Sequence, residues 1–374
     1  MVDQETWEST ALKKLELPNG VIASSRIMRA ATWMGLAEEG GTCGNTLLET
    51  YSKIRAGIVV TGFQYVMYEG QSVRRMISNS KPQDVKGLRR LAGIIHSSGG
   101  LAAAQLVHCG CKSLPKYSGN DIFGPSDMGV PGLKGETVQV KAMTVDHIER
   151  VTQAYADAAK RAEEAGFDVI ELHGAHHYGL WQFFDPLYNH RPASDPYTGT
   201  SIKGRCKAMV DAVRTIKDTV SIPVQVKVDS SSDIVRPEEV GELTKKLAEA
   251  GAYCVIFSGP RPTRKPKDIE DTYFLNDAMV ARSVAHDSGL LFGLVGGIRS
   301  RETVVRLLSG DGDPAAAFDV IQLSRPLISE PALLYRWNEE AKVGTQEPAR
   351  CISCNRCFAA GLKGGVRCVE FDSD

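Results

Sequence analysis

The sequence predicts an α/β fold of the (β/α)₈ barrel class, followed by a short C-terminal cysteine-rich extension. The first observation is that eight short runs rich in valine and isoleucine recur along the chain, with helix-compatible stretches between them. The second is that most runs are continuously apolar, as expected for parallel strands that are covered on both faces. The third is the length of 374 residues, which suits a barrel of about 250 to 400 residues.

The eight predicted strands follow one another in chain order. They cover residues 20–28, 57–66, 101–108, 168–173, 222–228, 253–258, 290–296 and 318–323. Two of the helices between them are well marked: residues 145–165 repeat apolar side chains at helical spacing, and residues 237–250 begin with Pro237 and stop at Gly251. A doubly wound sheet is the rival fold, but no Gly-x-Gly-x-x-Gly follows a first strand.

The connection after the third strand is unusually long. Residues 109–143 are rich in glycine, proline and serine, including Gly124-Pro125-Ser126. Long connections in a barrel lie at the carboxyl ends of its strands, where they often form lids and binding walls. We therefore expect this loop to lie over the mouth of the barrel as a lid or a substrate wall.

Composition excludes several classes of protein. Lys and Arg total 44 against 45 Asp and Glu, a net charge of −1, which gives no long-range attraction to nucleic acid or to anionic membranes. No apolar run approaches the ~18 residues of a membrane span, and the first residues lack the basic and apolar regions of a signal peptide. These features predict a cytoplasmic enzyme.

The cysteines are unevenly distributed. Four of the nine form the pattern Cys351-x-x-Cys354-x-x-Cys357, followed by Cys368 after ten more residues. An odd total without a secretion signal argues against a disulfide framework. Four closely spaced thiolates suit either a [4Fe–4S] cluster or structural zinc, and spacing alone does not choose between them.

The end of the fourth predicted strand carries a dense group of polar side chains. His173, His176, His177 and Tyr178 fall within six residues. Barrel enzymes place their chemistry at this end of the strands. The alternative, solvated loop histidines beside a core tyrosine, explains the density less well.

The residues around this group resemble a known family. Glu171-Leu-His-Gly-Ala-His-x-Tyr178, followed by Gln182-Phe-Phe-Asp-Pro-Leu-Tyr-Asn-x-Arg191, is similar to the signature of the Old Yellow Enzyme family of FMN-dependent ene-reductases. The resemblance extends over nearly the whole chain, because further ordered matches occur at the ends of other strands. They are residues 26–32, 59–63, 104–108 and 318–327.

The resemblance implies an FMN site, and residue chemistry can be matched to it. Backbone N–H groups of small residues after strands seven and eight can bind a phosphate. Gly296, Gly297 and Ser324 stand at these positions, and Arg325 is a candidate phosphate partner.

The resemblance implies that the remaining residues would contact the flavin ring. Gln105 is the expected amide at its pyrimidine edge, and Thr32 would approach the O4 and N5 side, where it would tune the potential. Lys227 is expected near N1 and O2, although many members of the family have arginine there. Ala31 and Gly62, at the ends of the first two strands, complete the expected site.

The resemblance also implies a mechanism. His173 and His176 would donate hydrogen bonds to an oxygen of an unsaturated carbonyl substrate, and Tyr178 would protonate the α-carbon as general acid. Hydride would come from the flavin N5. His177 stands where many members have glycine, and Cys111 stands where many have arginine.

The tail resembles the cluster site of larger relatives such as trimethylamine dehydrogenase and 2,4-dienoyl-CoA reductase. The resemblance therefore favours a [4Fe–4S] cluster on Cys351, Cys354, Cys357 and Cys368, with zinc as the alternative. It divides the chain into an FMN barrel, residues 1–345, and a four-cysteine segment, residues 346–374.

The electron donor, the oligomeric state and the alternative functions remain to be considered. Electrons would come from NAD(P)H at the barrel mouth or from a separate reductase or ferredoxin. We also expect a homo-oligomer. Amine oxidation and a purely electron-transferring flavin and iron–sulfur subunit are the alternative functions. A histidine at position 173 and an acid at Tyr178 favour reduction of an oxygen-bearing acceptor.

Overall fold

The barrel predicted from the sequence is present in the computed structural model, which describes residues 2–132, 135–261, 271–313 and 316–371. The strands of the described residues are β1 (Leu15–Glu16), β2 (Ile22–Ala23), β3 (Ile27–Arg29), β4 (Ile58–Val60), β5 (Gln64–Tyr65), β6 (Ile77–Ser78), β7 (Leu101–Val107), β8 (Ile122–Gly124), β9 (Met128–Pro131), β10 (Thr137–Ala142), β11 (Val169–Gly174), β12 (Val224–Asp229), β13 (Cys254–Ser258), β14 (Leu291–Val295) and β15 (Val320–Leu323). Eight of them form the barrel: β3, β4, β7, β11, β12, β13, β14 and β15. They run parallel and close on themselves, because β11 pairs with both β12 and β7.

Helices cover the outside of the barrel. Those that stand between consecutive barrel strands bury an apolar face against the sheet, as in α5, where Ile148, Tyr155 and Ala159 are buried. The helices are α1 (Gln4–Thr10), α2 (Asn45–Ser52), α3 (Asp84–Ser97), α4 (Pro115–Ser118), α5 (Val145–Glu164), α6 (Gly179–Phe184), α7 (Ile202–Lys217), α8 (Pro237–Glu249), α9 (Leu275–Val284), α10 (Arg301–Ser309), α11 (Pro326–Ser329), α12 (Leu333–Val343) and α13 (Arg356–Gly364).

The strands are buried on both faces, which explains their continuous apolar sequence. Along β11, Ile170 and Leu172 belong to the large core between barrel and helices, whereas Val169 belongs to a separate core inside the barrel. The next inward position, Glu171, is polar and completely buried. The barrel interior is thus apolar near the amino ends of its strands and polar toward their carboxyl ends.

Two predicted strands are shorter than expected. The first apolar run forms β3 only, and Ile22 and Ala23 instead pair with Leu15 and Glu16 in an antiparallel hairpin. Ala23 and Leu17, which lies within the hairpin, pack in the core inside the barrel. The second run divides into β4 and β5, which pair in turn with residues 101–103 and 106–107 of β7, so the run follows one edge of that barrel strand with a break at residues 61–63.

The prediction that residues 109–143 lie over the barrel mouth is largely wrong. They form a small sheet of β8, β10 and β9 that packs beside α6, and Arg191 donates to the carbonyl oxygens of Pro125 and Met143. These contacts hold the loop to the side of the mouth. Of the residues of this segment that the structure describes, 109–132 and 135–143, Lys112 alone lines the cavity at the mouth.

The cysteine-rich tail is packed on the barrel. Cys357 and Val366 belong to the same apolar core as the barrel helices, and the backbone N–H of Val366 donates to the carbonyl oxygen of Met34 at 2.8 Å. The backbone N–H of Ala349 donates to the carbonyl oxygen of Arg299 at 2.7 Å. The boundary at residue 345 remains a prediction.

None of the helices in the described part of the chain combines the length and the apolar composition that a membrane crossing requires.

Candidate active site

A cavity of about 780 Å³ opens at the carboxyl ends of the barrel strands. It has the size of a site for a cofactor or a small molecule. The three predicted catalytic residues and eight of the nine predicted cofactor residues line it. They are Ala31, Thr32, Gln105, His173, His176, Tyr178, Lys227, Gly296, Gly297, Ser324 and Arg325.

Gly62 is the ninth, and the structure places it outside this lining. Its backbone N–H lies 2.6 Å from the phenolic oxygen of Tyr51. A Cβ at this position would come within 2.7 Å of the carbonyl oxygen of Thr32. Gly62 therefore permits close packing behind the segment that carries Thr32.

A polar layer forms the floor of the cavity. Gln105 and Gln322 both line the cavity and donate their amide N–H groups to Glu171, at 2.7 and 2.8 Å. The ammonium of Lys227 lies 3.4 Å from the same carboxylate. Burial lowers the pKa of Lys227, and the carboxylate of Glu171 opposes that shift. Glu171 and Gln322 were not among the residues predicted for the site.

The predicted catalytic side chains contact one another. The rings of His173 and Tyr178 lie edge to face with centroids 4.7 Å apart, and those of His173 and His176 are 5.0 Å apart. His176 is held by two bonds: its backbone N–H donates to Asp229 at 2.7 Å, and its Nε2 lies 2.9 Å from the hydroxyl of Ser258.

The electrostatics favour neutral histidines. Burial lowers the pKa of His173 well below its usual value, and the cations Lys227 and Lys112 add to the shift. Burial lowers the pKa of His176 in the same direction, with His173 and both lysines contributing. A neutral imidazole still carries one N–H donor. The pair can therefore donate hydrogen bonds without adding charge.

Tyr178 is held protonated. Burial raises the pKa of its phenol and Cys109 adds to the shift, whereas the side chain of Ser72 acts in the other direction. Phe63 packs on the ring at 5.6 Å, and the ammonium of Lys112 lies 5.4 Å from its centroid. Lys112, which donates to the carbonyl oxygen of His176 at 2.8 Å, was missed because sequence spacing does not show which loop residue reaches the mouth.

The loop between the histidines and the tyrosine has an uncommon backbone. His176 and His177 have φ of 58° and 57°, in the left-handed region that favours glycine. The replacement of glycine by His177 therefore keeps a glycine-like conformation. Its side chain joins the cavity lining.

The end of the cavity formed by β14 and β15 suits a phosphate. Gly296 and Gly297 have φ of 127° and 78°, and a Cβ on Gly297 would lie 2.7 Å from the ring of Tyr273. Successive N–H groups in such conformations can bind an anion. Arg325 lines the same end and donates to the side-chain oxygen of Asn355 at 2.7 Å.

The first strand ends at a buried cation. Arg29 is 1% exposed and donates to the carbonyl oxygen of Ala30 and to the hydroxyl of Thr32. That hydroxyl also lies 2.9 Å from the hydroxyl of Ser324. Arg29 thus connects the cavity ends of the first and eighth barrel strands.

The tail contributes to the cavity wall, which the sequence did not predict. Ser353 and Phe358 line the cavity, and the hydroxyl of Tyr273 lies 3.2 Å from that of Ser353. These two residues flank Cys354 and Cys357 in sequence. The cysteine segment and the cavity therefore share a wall.

The four tail cysteines lie near one another but do not form a ligating arrangement. Cys351 interacts electrostatically with Cys368 and with Cys357, and Cys357 also with Cys354. Cys357 and Cys368 are buried, whereas Cys354 is exposed. Across the described ranges, no three His, Cys, Asp or Glu side chains are close enough to hold one ion. The donor set itself is the one that iron–sulfur clusters and structural zinc use.

The remaining cysteines are structural. Cys111 packs with Ile122 and Val140 beneath the small sheet, and burial raises its pKa to about 12. Cys43, Cys109, Cys206 and Cys254 are also buried. All five are free thiols.

Comparison with known proteins identifies the family. The chain is 28% identical over 348 residues to the NADH oxidase of Thermoanaerobacter brockii, an alignment that covers 90% of this chain and 51% of that protein. The chain therefore spans about half the length of this relative.

Solved structures show the same fold. The Old Yellow Enzyme homologue from Zymomonas mobilis superposes with a TM-score of 0.76 at 23% identity, covering 89% of this chain and 93% of that one. A 2-naphthoyl-CoA reductase in complex with 2-naphthoyl-CoA superposes with a TM-score of 0.83 at 18% identity, covering 97% of this chain and 56% of that one.

The decisive match is to a family model. Residues 15–342 match the NADH:flavin oxidoreductase / NADH oxidase family. This range contains the whole barrel and every residue of the predicted flavin site. The chain therefore belongs to the NADH:flavin oxidoreductase / NADH oxidase family, to which Old Yellow Enzyme belongs.

Proposed function

We propose that the protein is an FMN-dependent oxidoreductase that reduces an activated C=C bond of an enone or enoate. The observation that carries the proposal is that His173 packs edge to face against both His176 and Tyr178, and that all three side chains line one cavity. An electron carrier needs no such proton donor. An amine oxidase would have little use for two donors aimed at a substrate oxygen.

The residues present fit FMN. The side-chain oxygens of Gln105 and Gln322 and the Nδ1 atom of His173 are buried and have no partner among the described residues. A ligand with polar edges would satisfy them. The glycine pair and Arg325 would take the phosphate, and Lys227 would stand by the N1 and O2 edge, where negative charge grows on reduction.

The substrate would bind in the cavity at the histidines. When bound, FMN supplies the hydride for the β-carbon of the substrate. His173 and His176 would hold the carbonyl oxygen by hydrogen bonds and so polarise the double bond. Tyr178 would give its proton to the α-carbon. Its raised pKa matches the strongly basic carbon that it must protonate.

We also propose that Cys351, Cys354, Cys357 and Cys368 hold a [4Fe–4S] cluster. Their grouping at one place and their thiol chemistry support it, and zinc is the alternative. The cysteines adjoin Ser353 and Phe358 in sequence, so the segment that would hold the cluster also forms part of the cavity wall. Electrons would reach the FMN from NAD(P)H or from a separate electron-donor protein.

Anaerobic purification followed by visible spectroscopy tests the proposal. We expect a coloured protein with one FMN and about four iron and four sulfide per chain. NADH or NADPH should bleach the flavin band, and cyclohexenone should restore it with formation of the saturated ketone. A protein without flavin would refute the function, and a zinc-only protein from iron-replete cells would refute the cluster.

A further inference from the structure

We infer that Glu171 is a positioning residue of the flavin site: it orients Gln105 and Gln322 so that both amide oxygens are available to FMN. This inference rests on the FMN binding proposed above. Glu171 itself is absent from the cavity lining. It therefore acts through the side chains around it.

The contacts of Glu171 form a closed polar layer. It lies opposite Gln105 of β7 and Gln225 of β12 in the register of the sheet. The Nε2 atom of Gln105 lies 2.7 Å from its Oε1, and that of Gln225 lies 2.6 Å from its Oε2. Gln322 of β15 reaches the same Oε2 at 2.8 Å. The ammonium of Lys227 lies 3.4 Å from Oε1.

The chemistry of this layer decides how each amide is turned. An ionised carboxylate accepts hydrogen bonds and cannot donate, whereas a glutamine amide can present either its oxygen or its N–H₂ group. Four N–H-bearing groups surround Glu171, and one of them is a cation. Each glutamine must therefore turn its N–H₂ group toward Glu171 and its oxygen away.

The side-chain oxygens of the three glutamines differ in their hydrogen bonding. That of Gln225 accepts from the hydroxyl of Tyr253 at 2.8 Å. Those of Gln105 and Gln322 are buried without a hydrogen-bond partner among the described residues, although both glutamines line the cavity. Buried acceptors without donors are costly and uncommon. The ligand of the cavity must therefore bring hydrogen-bond donors to its floor.

FMN has such donors. Its pyrimidine edge carries one N–H group, at N3, and its ribityl chain carries hydroxyls. A carbonyl oxygen facing N3 stabilises the protonated ring, whereas an N–H group facing N3 would stabilise the ring after loss of that proton. The orientation that Glu171 imposes is thus matched to a protonated N3.

The variant Glu171→Gln tests this orientation, because its amide can donate and so permits Gln105 or Gln322 to reverse. We expect the Kd of FMN to rise about 2- to 10-fold, the loss of one hydrogen bond. We also expect bound FMN to lose its N3 proton at lower pH than in the wild type. Fluorescence titration of the apoprotein measures the first, and visible spectra against pH measure the second.

A matched control is Gln225→Leu. It removes a donor to the same carboxylate, but its oxygen is already bonded to Tyr253 and does not serve the cavity. We expect a lower melting temperature with unchanged FMN affinity and N3 titration. If Glu171→Gln behaved like this control, Glu171 would be structural only and the inference would be wrong.

Failure of the proposed function and failure of this inference give different results. A wild-type protein that binds no FMN contradicts the proposed function, whereas normal FMN binding by Glu171→Gln contradicts only the inference. If Glu171→Gln does not fold, wild-type protein with FMN labelled by ¹⁵N at N3 decides. We expect a downfield, slowly exchanging N3 proton; a resonance like that of free FMN overturns the inference.

Discussion

Replacing Tyr178 by phenylalanine should separate the two halves of the proposed reaction. The change removes one hydroxyl and keeps the ring, so its contacts with Phe63 and His173, at 5.6 and 4.7 Å, are retained. The interaction of the phenol with the side chain of Ser72 is lost. A single hydrogen bond contributes about 0.5 to 1.5 kcal/mol, so the protein should fold with a slightly lower melting temperature.

The expected kinetic effect is much larger than this structural one. A positioned general acid contributes about 10²- to 10⁴-fold to the rate, equivalent to about 3 to 5 kcal/mol of barrier. The step in which an α,β-unsaturated ketone reoxidises the prereduced enzyme should slow by that factor. Reduction by NAD(P)H involves no protonation of substrate carbon and should stay within a few-fold of the wild-type rate.

Anaerobic stopped-flow absorbance measures both steps. Quinones, which take electrons without protonation at carbon, should react at nearly the wild-type rate. Tyr197→Phe is the matched control, because its hydroxyl bonds to Asp211 at 3.1 Å outside the cavity lining. If Tyr178→Phe reacted with the enone as fast as this control, Tyr178 would not be the acid, and the amine-oxidation or electron-carrier alternatives would gain support.

Four further predictions concern other parts of the site. His173→Ala and His176→Ala should each weaken the binding of phenolate ligands by about 10- to 150-fold, the loss of a hydrogen bond to a charged oxygen, as measured by the charge-transfer band. Gly297→Ala should weaken FMN binding, because the added Cβ would lie 2.7 Å from the ring of Tyr273 at a positive φ; an unchanged Kd would contradict the phosphate assignment. Cys354→Ala should lose iron but retain FMN with reduced affinity, since Ser353 lines the cavity; full iron content after the change would exclude Cys354 as a ligand. Below the unfolded histidine pKa of about 6.5, only the unfolded chain takes up a proton at position 173, because the folded pKa is lowered. The free energy of unfolding should therefore fall with decreasing pH, by up to about 1.4 kcal/mol per pH unit, and less steeply in His173→Asn; equal slopes in urea titrations would contradict this.

The sequence predicted the barrel because each strand carries its own local signal, an apolar run of a few residues. All eight runs contain a barrel strand, and helix α8 begins at Pro237 as expected. The error at the first run has a physical reason. Leu17 and Ala23 of the hairpin pack in the inner core of the barrel, and burial there favours the same apolar residues as burial in a strand. Ile22 is exposed and lengthens the apolar run without being buried.

The predicted site residues came from motifs at strand ends, and most of them line one cavity. What the sequence did not predict depends on contacts between distant segments. Ser353 and Phe358 reach the cavity from the tail, and the sequence around them does not indicate that they line it. Lys112 lies in the long connection and Glu171 begins the family motif, but neither pattern shows which side chains they contact. The contact of Lys112 with His176 and those of Glu171 across the sheet follow only from the folded structure.

The wall shared by the tail and the barrel determines when, during synthesis, the cofactor cavity can become complete. Ile27 of β3 pairs with Ile321 of β15, so the ring closes only after residues about 290 positions apart in the chain have both been synthesised. The cavity needs still later residues, because Ser353 and Phe358 complete the wall that begins with Ala30. Contacts so far apart in sequence slow folding and leave partly folded states exposed. A growing chain therefore has no finished pocket to offer a cofactor until Phe358 has been synthesised, and flavin loading must follow that point.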